Sequence, residues 1–431
     1  MYLINNSSDI HSYTHRGVVF RRLIEKFCVV MVSTWVLLPQ VTGNSGFYYF
    51  AFFFLIWLFL SSFNSNLTKV NIRLFQIVLF VLYSVMLEVF GKGNSLLYPK
   101  LVSVGTFFIG ALIYNYYIKK KEYKFLAFLC LINLLFMAYT AINTIKVLSI
   151  NPYLSRGLSS QNDVYIDLLK LGITGYGYIY GLVLLAPCLL LFILGSKSLG
   201  KKRLFLLWGL FGVFTLVILK ASFTIAVIFF MLNIILTWSI SGRKRFIIVC
   251  MLLLAFILIP KENLANIITN EVNTIDNYEY KMRILSISDF LFKGGSLGES
   301  GDTRLWLYHL SYKTFVNNPL IGVGSYYGDV AQMVTQGIGG HSEWLDLLAR
   351  YGLIGSFPVF LFFFTTLKFI YNNMFQYSYY KKVIWIMTLF IVMLGSINPI
   401  LSAPELGYTL FLIVPSLPYL NLLNKNTDKT N

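Results

Sequence analysis

A histidine, His341, and an arginine, Arg304, stand in a polar stretch that runs straight into an apolar helix, in a chain that is otherwise mostly apolar. A neutral imidazole can take a proton from an attacking hydroxyl near physiological pH. The alternative for His341 is a hydrogen-bonded interface histidine. A guanidinium forks onto two oxygens and stays charged, which suits a diphosphate; the alternative for Arg304 is a surface arginine paired with Glu299 or Asp302. His309 falls off the helical stripe that Arg304 defines and reads as structural. Lys220, in Leu219-Lys220-Ala221-Ser222, lies between two apolar helices with no polar loop to house it. A charge at that depth has a partner or a task, or else snorkels to the interface. Arg156, in a second polar loop, either reaches a phosphate or is plain surface. Glu343 and Asp346 are secondary candidates for a base, with a solvated helix face as their alternative. Tyr176, Tyr178 and Tyr180 read as lipid-facing or packing residues, with sugar stacking left open for a few tyrosines. The sequence contains no Gly-rich phosphate loop, serine-nucleophile elbow or paired-Asp motif. Cys28, Cys130, Cys188 and Cys250 all fall in apolar segments without metal-ligand spacing, so neither a zinc site nor a disulfide is expected.

The elements that position these residues follow from composition. Of 431 residues, 57% are hydrophobic and only 12% charged, against about 25% charged in a soluble protein. The expectation is an all-α polytopic membrane protein forming a single membrane domain over residues 1–431. Twelve apolar runs approach the length of about 20 residues that a spanning helix needs: 27–41, 47–63, 74–90, 101–117, 125–148, 171–194, 204–219, 223–240, 246–259, 353–370, 383–400 and 406–423. The polar, basic N-terminus feeds directly into the first run, which is expected to insert as an anchor and not as a cleaved signal. The net charge of +17 does not indicate nucleic acid, because 22 of the 35 Lys and Arg fall in short segments on one side of the predicted topology. That is the positive-inside pattern, with both termini cytoplasmic and anionic headgroups as the partner of the charge. Two outer loops are longer: 149–170 and 260–351, the second holding 10 of the 18 acidic residues. Within it the sequence predicts a helix capped by Asp302 or Thr303 and ended by Asn317-Asn318-Pro319. Gly322, Gly324, Gly337, Gly339 and Gly340 mark tight backbone. A second helix is predicted to begin near His341. There the imidazole shares an apolar inward face with Trp344, Leu345 and Leu348, and Asp346 and Arg350 form an i,i+4 pair.

Arg304-Leu305-Trp306, then Phe315 and Asn318-Pro319-Leu320-Ile321-Gly322-Val323-Gly324, then His341-Ser342 followed by Gly352 and Gly355, resemble the O-antigen polymerase and ligase superfamily. The resemblance is strongest over 300–356. Leu204–Trp238 is similar to the segment preceding it in that family, and Gly175–Tyr180 looks polymerase-like. Many members carry a Ser-Arg pair where this chain has Ser222-Phe223-Thr224. Lys220, nearly one helical turn before Phe223, is the candidate replacement for that arginine. The resemblance implies a metal-independent, cofactor-free glycosyltransferase at the outer face of the bacterial inner membrane. It implies transfer of a growing glycan from undecaprenyl diphosphate to a repeat unit on the same lipid. His341 is then the base, and Arg304, Lys220 and Arg156 hold the diphosphate. The expected partners are undecaprenyl-diphosphate-linked oligosaccharides and membrane lipids, with a chain-length regulator left open and no nucleic acid. Three alternatives remain: a ligase passing the finished glycan to lipid A-core, a polymerase for capsule or another exopolysaccharide, and a lipid-linked oligosaccharide flippase. Transporters often show repeated halves and midplane polar sites, whereas this chain concentrates its polar mass in one loop.

Overall fold

The structure, a computed structural model, describes residues 7–62, 71–90, 97–151, 154, 163–196, 199–221, 223–242, 245, 247, 251, 266, 268–272, 278–289, 299–324, 330–374 and 378–424. Among them there is no strand. The helices are α1 (Ser7–Leu37), α2 (Pro39–Ser62), α3 (Asn71–Val89), α4 (Leu97–Lys119), α5 (Tyr123–Ile150), α6 (Asp163–Lys170), α7 (Tyr176–Gly195) and α8 (Lys201–Lys220). They continue as α9 (Thr224–Ile240), α10 (Tyr278–Ser288), α11 (Glu299–Asn317), α12 (Val330–Thr335), α13 (Glu343–Asn373), α14 (Val383–Ile397) and a final helical run, α15 (Pro404–Leu423). Eight of these are long and apolar enough to cross a membrane: α2, α3, α5, α7, α8, α13, α14 with its preceding turn, and α15. The chain is therefore a multi-pass membrane protein. Of the remaining predicted spans, 101–117 lies within α4, which is not among the eight, α9 is apolar but shorter, and α1 carries Arg21, Arg22, Glu25 and Lys26. The run 246–259 lies outside the described residues apart from Ile247 and Met251, as do 152–153 and 155–162 of the 149–170 loop, Arg156 included.

At the centre stands α7, buried on every side from Tyr178 to Leu189. Its first turns pack on α15 through Gly177 and Gly181, where a Cβ would meet Glu405, Ala403 and Thr409. Gly110 of α4 and Gly407 of α15 allow a second close crossing, a Cβ on Gly407 running into the Phe107 carbonyl. Small residues serve this purpose in lipid, where helix association depends on close packing. Charged side chains gather at one end of the bundle. Lys120 pairs with buried Glu25 at 3.0 Å, and Lys26 with Glu122 at 2.6 Å. Arg73 donates to Thr366 Oγ1 at 3.1 Å, and Arg203 to the Leu423 carbonyl at 3.3 Å. The N-termini of α7, α13 and α15 lie at the opposite end: α7 and α15 run parallel, with Gly177 against Glu405 at one end and Ser196 bonded to Asn421 at the other, and Arg73 meets α13 at Thr366, toward its C-terminus.

The Asn-Pro-Leu-Ile-Gly-Val-Gly segment has an architectural explanation. Helix α13 is two helices broken at Gly352, whose φ of 60° and ψ of −167° are not helical. The chain after α11 crosses α13 at that break. Val323 and Gly324 donate to the carbonyls of Ala349 (3.0 Å) and Arg350 (2.9 Å), while Leu353 and Ile354 donate to those of Pro319 (2.8 Å) and Leu320 (3.1 Å). These four bonds take up the peptide groups that the helix break releases. Gly322 and Gly352 face each other's backbone, and a Cβ on either would overlap the main chain opposite. Gly352→Ala therefore adds a backbone clash to the cost, about 1–3 kcal/mol, of a backbone conformation that essentially only glycine adopts. A melting temperature in detergent is expected to fall sharply for it. Gly340→Ala has a similar positive φ (75°) but only Met333 Sδ at 3.5 Å in the way, so its loss should be confined to the conformational cost. Equal melting temperatures for the two variants would refute this account of the crossing.

Candidate functional site

The site is built on a stripe of α11. Arg304, Tyr308 and Ser311 follow one another at i, i+4 and i+7 and so share one face. Helix α11 begins at Glu299, ahead of the predicted cap, and ends at Asn317 as Asn318-Pro319 requires. Arg304 hydrogen-bonds the Tyr308 hydroxyl, and burial raises the Tyr308 pKa against the opposing pull of that guanidinium. The Tyr308 hydroxyl also donates to the Ile397 carbonyl at 3.2 Å, which fixes the end of α14 against α11. Among the described residues Arg304 forms no ion pair.

His341 arrives by a tight turn. Gly337 and Gly340 adopt φ of 80° and 75°. Gly339 lies so close to the Leu307 carbonyl that a Cβ there would clash. The Gly339 amide donates to Ser311 Oγ at 2.7 Å, and Thr314 Oγ1 donates to the Gly337 carbonyl at 2.7 Å. This turn pins the chain two residues before His341 onto the Arg304 stripe. The imidazole is not on the helix, contrary to the expectation of an inward helical face. Ser342 caps α13, its Oγ accepting the Leu345 amide at 3.4 Å, and His341 precedes that cap. Burial, and then the charge of Arg304, lower the His341 pKa below its ordinary 6.5, while Asp346 pulls the other way. The imidazole is therefore neutral at pH 7 and able to accept a proton.

The two carboxylates on the first turn of α13 are occupied and do not form a solvated face. Asp346, 4% exposed, accepts Ser311 Oγ at 2.6 Å and the Ser342 amide at 3.3 Å. Glu343 accepts the amides of Ile400 and Leu401 at 2.7 and 2.9 Å. The predicted Asp346–Arg350 pair is absent among the described ion pairs. Arg350 instead turns toward Met333 Sδ at 3.0 Å, because Asp346 is drawn inward by Ser311. Ser311 thus couples His341's turn to α13. Ser311→Ala leaves the Gly339 amide and an Asp346 oxygen unpaired, at a cost of about 1–3 kcal/mol. It is expected to lower both the melting temperature in detergent and the activity; an unchanged value of both would remove Ser311 from the scaffold.

The other predicted residues separate. Lys220 is exposed at the C-terminal end of α8. The short α7–α8 connection puts that end beside the start of α7. The charges acting most on His341 are Arg304 and Asp346, and Lys220 is not one of them. His309 is exposed on α11. Tyr178, read as lipid-facing or packing, is fully buried and bonds the Met137 carbonyl. Tyr176 and Tyr180 do not face lipid. Their rings lie 4.5 Å apart, and Arg304 acts electrostatically on both. Asn398, which follows α14, lies against Tyr180. Neither Asn398 nor Ser311 was singled out from the sequence. The stripe spacing from Arg304 is the signal that points to Tyr308 and Ser311; for Asn398 only its Asn-Pro junction stands out. Among the described residues no group of three or more His, Cys, Asp or Glu side chains converges as a metal-binding set. Cys28, Cys130 and Cys188 are buried free thiols. Compared with known families and with curated proteins, the chain matches no family model and no curated protein.

Proposed function

We propose that the protein is an O-antigen polymerase: a metal-independent glycosyltransferase that extends undecaprenyl-diphosphate-linked glycans at the periplasmic face of the inner membrane. The observation that carries this reading is the convergence of Arg304 and a neutral His341 at the end of the bundle opposite its clustered charges. A sugar hydroxyl is a weak nucleophile. His341 removes its proton as the oxygen attacks the anomeric carbon of the donor. The bond from that carbon to the diphosphate breaks, and undecaprenyl diphosphate leaves with the bonding electrons. Arg304, with Lys220 and Arg156 as further candidates, stabilises the charge that gathers on the leaving group. An apolar groove between α13 and α14 supports a lipid substrate. Trp344, next to Glu343, closes its site end, and Phe360, Phe363, Phe364, Ile391 and Val392 line its length. Twelve spans and cytoplasmic termini belong to the same reading, the basic end facing the cytoplasm.

The decisive experiment incubates the purified chain in detergent with authentic lipid-linked repeat units. A ladder of longer glycans is expected; no extension would overturn the proposal and return the transporter reading. A deletion strain separates polymerase from ligase. Loss of a polymerase leaves lipid A-core bearing one repeat unit, and loss of a ligase leaves it bearing none.

A further inference from the structure

We propose that Tyr176 and Asn398 form, with Arg304, a wall of hydrogen-bond donors that binds the diphosphate of the substrate, an assignment that rests on the lipid-diphosphate reading above. Asn398 is 5% exposed. Its backbone is fully used, the amide donating to Leu394 at 2.9 Å and the carbonyl accepting Glu343 at 3.4 Å. Its buried side-chain Nδ2 meets no acceptor in good hydrogen-bond geometry, with the Tyr180 hydroxyl beside it, and the buried hydroxyl of Tyr176 has no hydrogen-bond partner. The two are brought together by Tyr180, which packs on Tyr176 and reaches Asn398. Arg304 acts electrostatically on the same tyrosines. Buried polar groups are nearly always paired, and each exception calls for an explanation. Here two exceptions flank Tyr180, on which the Arg304 guanidinium acts. The nearest carboxylate, Glu343, is already held by the Ile400 and Leu401 amides. The Arg304 guanidinium and the Asn398 Nδ2 only donate, and the Tyr176 hydroxyl can donate as well. A sugar hydroxyl, which both donates and accepts, would satisfy them only in part, whereas phosphate oxygens only accept.

The test measures binding to the full chain in detergent, using inorganic diphosphate, farnesyl diphosphate and phosphatidylglycerol as separate probes. Inorganic and farnesyl diphosphate are both expected to bind the wild type. Tyr176→Phe and Asn398→Ala should each weaken this binding about tenfold, the loss of one hydrogen bond to a charged acceptor. Tyr176→Phe should not lower the melting temperature without ligand, because it removes a hydroxyl that has no partner in the fold; a purely structural role would lower it. Unchanged diphosphate affinity in both variants overturns the proposal. So does phosphatidylglycerol binding as tightly as farnesyl diphosphate, since the site would then serve a lipid headgroup. If the variants lose diphosphate while the wild type extends no glycan, the donor wall stands and the polymerase reading falls.

Discussion

His341→Ala is expected to remove polymer from cells while leaving the protein in the membrane at its normal level. A positioned general base contributes about 10²–10⁴-fold to rate, and chain extension multiplies a deficit of that size at every added unit. Stability should hardly change. His341 lies outside the helices, half-buried, and its turn is fixed by Gly339, Ser311 and Ser342 and not by the imidazole. The measurement is a glycan ladder beside an immunoblot of membranes. Wild-type chain lengths with wild-type protein levels would exclude the imidazole from the reaction. A histidine base that is lowered below 6.5 by burial and by Arg304 also fixes the sign of the pH dependence. The active form is the neutral one, so activity should hold above pH 6.5 and fall on an acid limb whose midpoint lies below that value.

Arg304→Gln carries the second large effect. Removing one preorganised charge from a developing oxyanion costs about 10²–10³-fold. The substitution also withdraws a cation that disfavours imidazolium, so the acid limb should move up toward 6.5 even as the rate drops. Asp346→Asn, which withdraws the charge favouring imidazolium, should move the limb further down. Opposite displacements in the two variants would tie both residues to His341. A rate lost in Arg304→Gln with no displacement would leave Arg304 as a phosphate ligand that does not act on His341.

The sequence made the membrane class legible, because composition and recurring apolar runs are global signals that no single contact can reverse. It also marked Arg304 and His341, whose neighbours include glycines and an Asn-Pro junction with strong local preferences. What it could not show was pairing across distance. Nothing in Asp346 or Glu343 reveals that Ser311 and the Ile400 and Leu401 amides take their oxygens, so an ordinary amphipathic pattern made both look solvated. The same holds for Tyr176 and Tyr178. The two are neighbours in a run of tyrosines, yet one feels the charge of Arg304 and the other bonds the Met137 carbonyl of α5, a difference set by which face of α7 each occupies. The start of α11 was misplaced because Glu299, Ser300, Gly301 and Asp302 suit a cap or a loop as well as a helical turn.

The crossing at Gly352 bears on how such a site can diversify. Residues 318–324 are stitched to the middle of α13, and the turn at 337–340 is stitched to α11. The described part of the interval between these two clamps, with α12 (Val330–Thr335), contributes neither Arg304 nor His341. Because the two clamps hold residues 318–324 and 337–340 independently of that interval, changes of sequence in α12 should leave the placement of Arg304 and His341 intact.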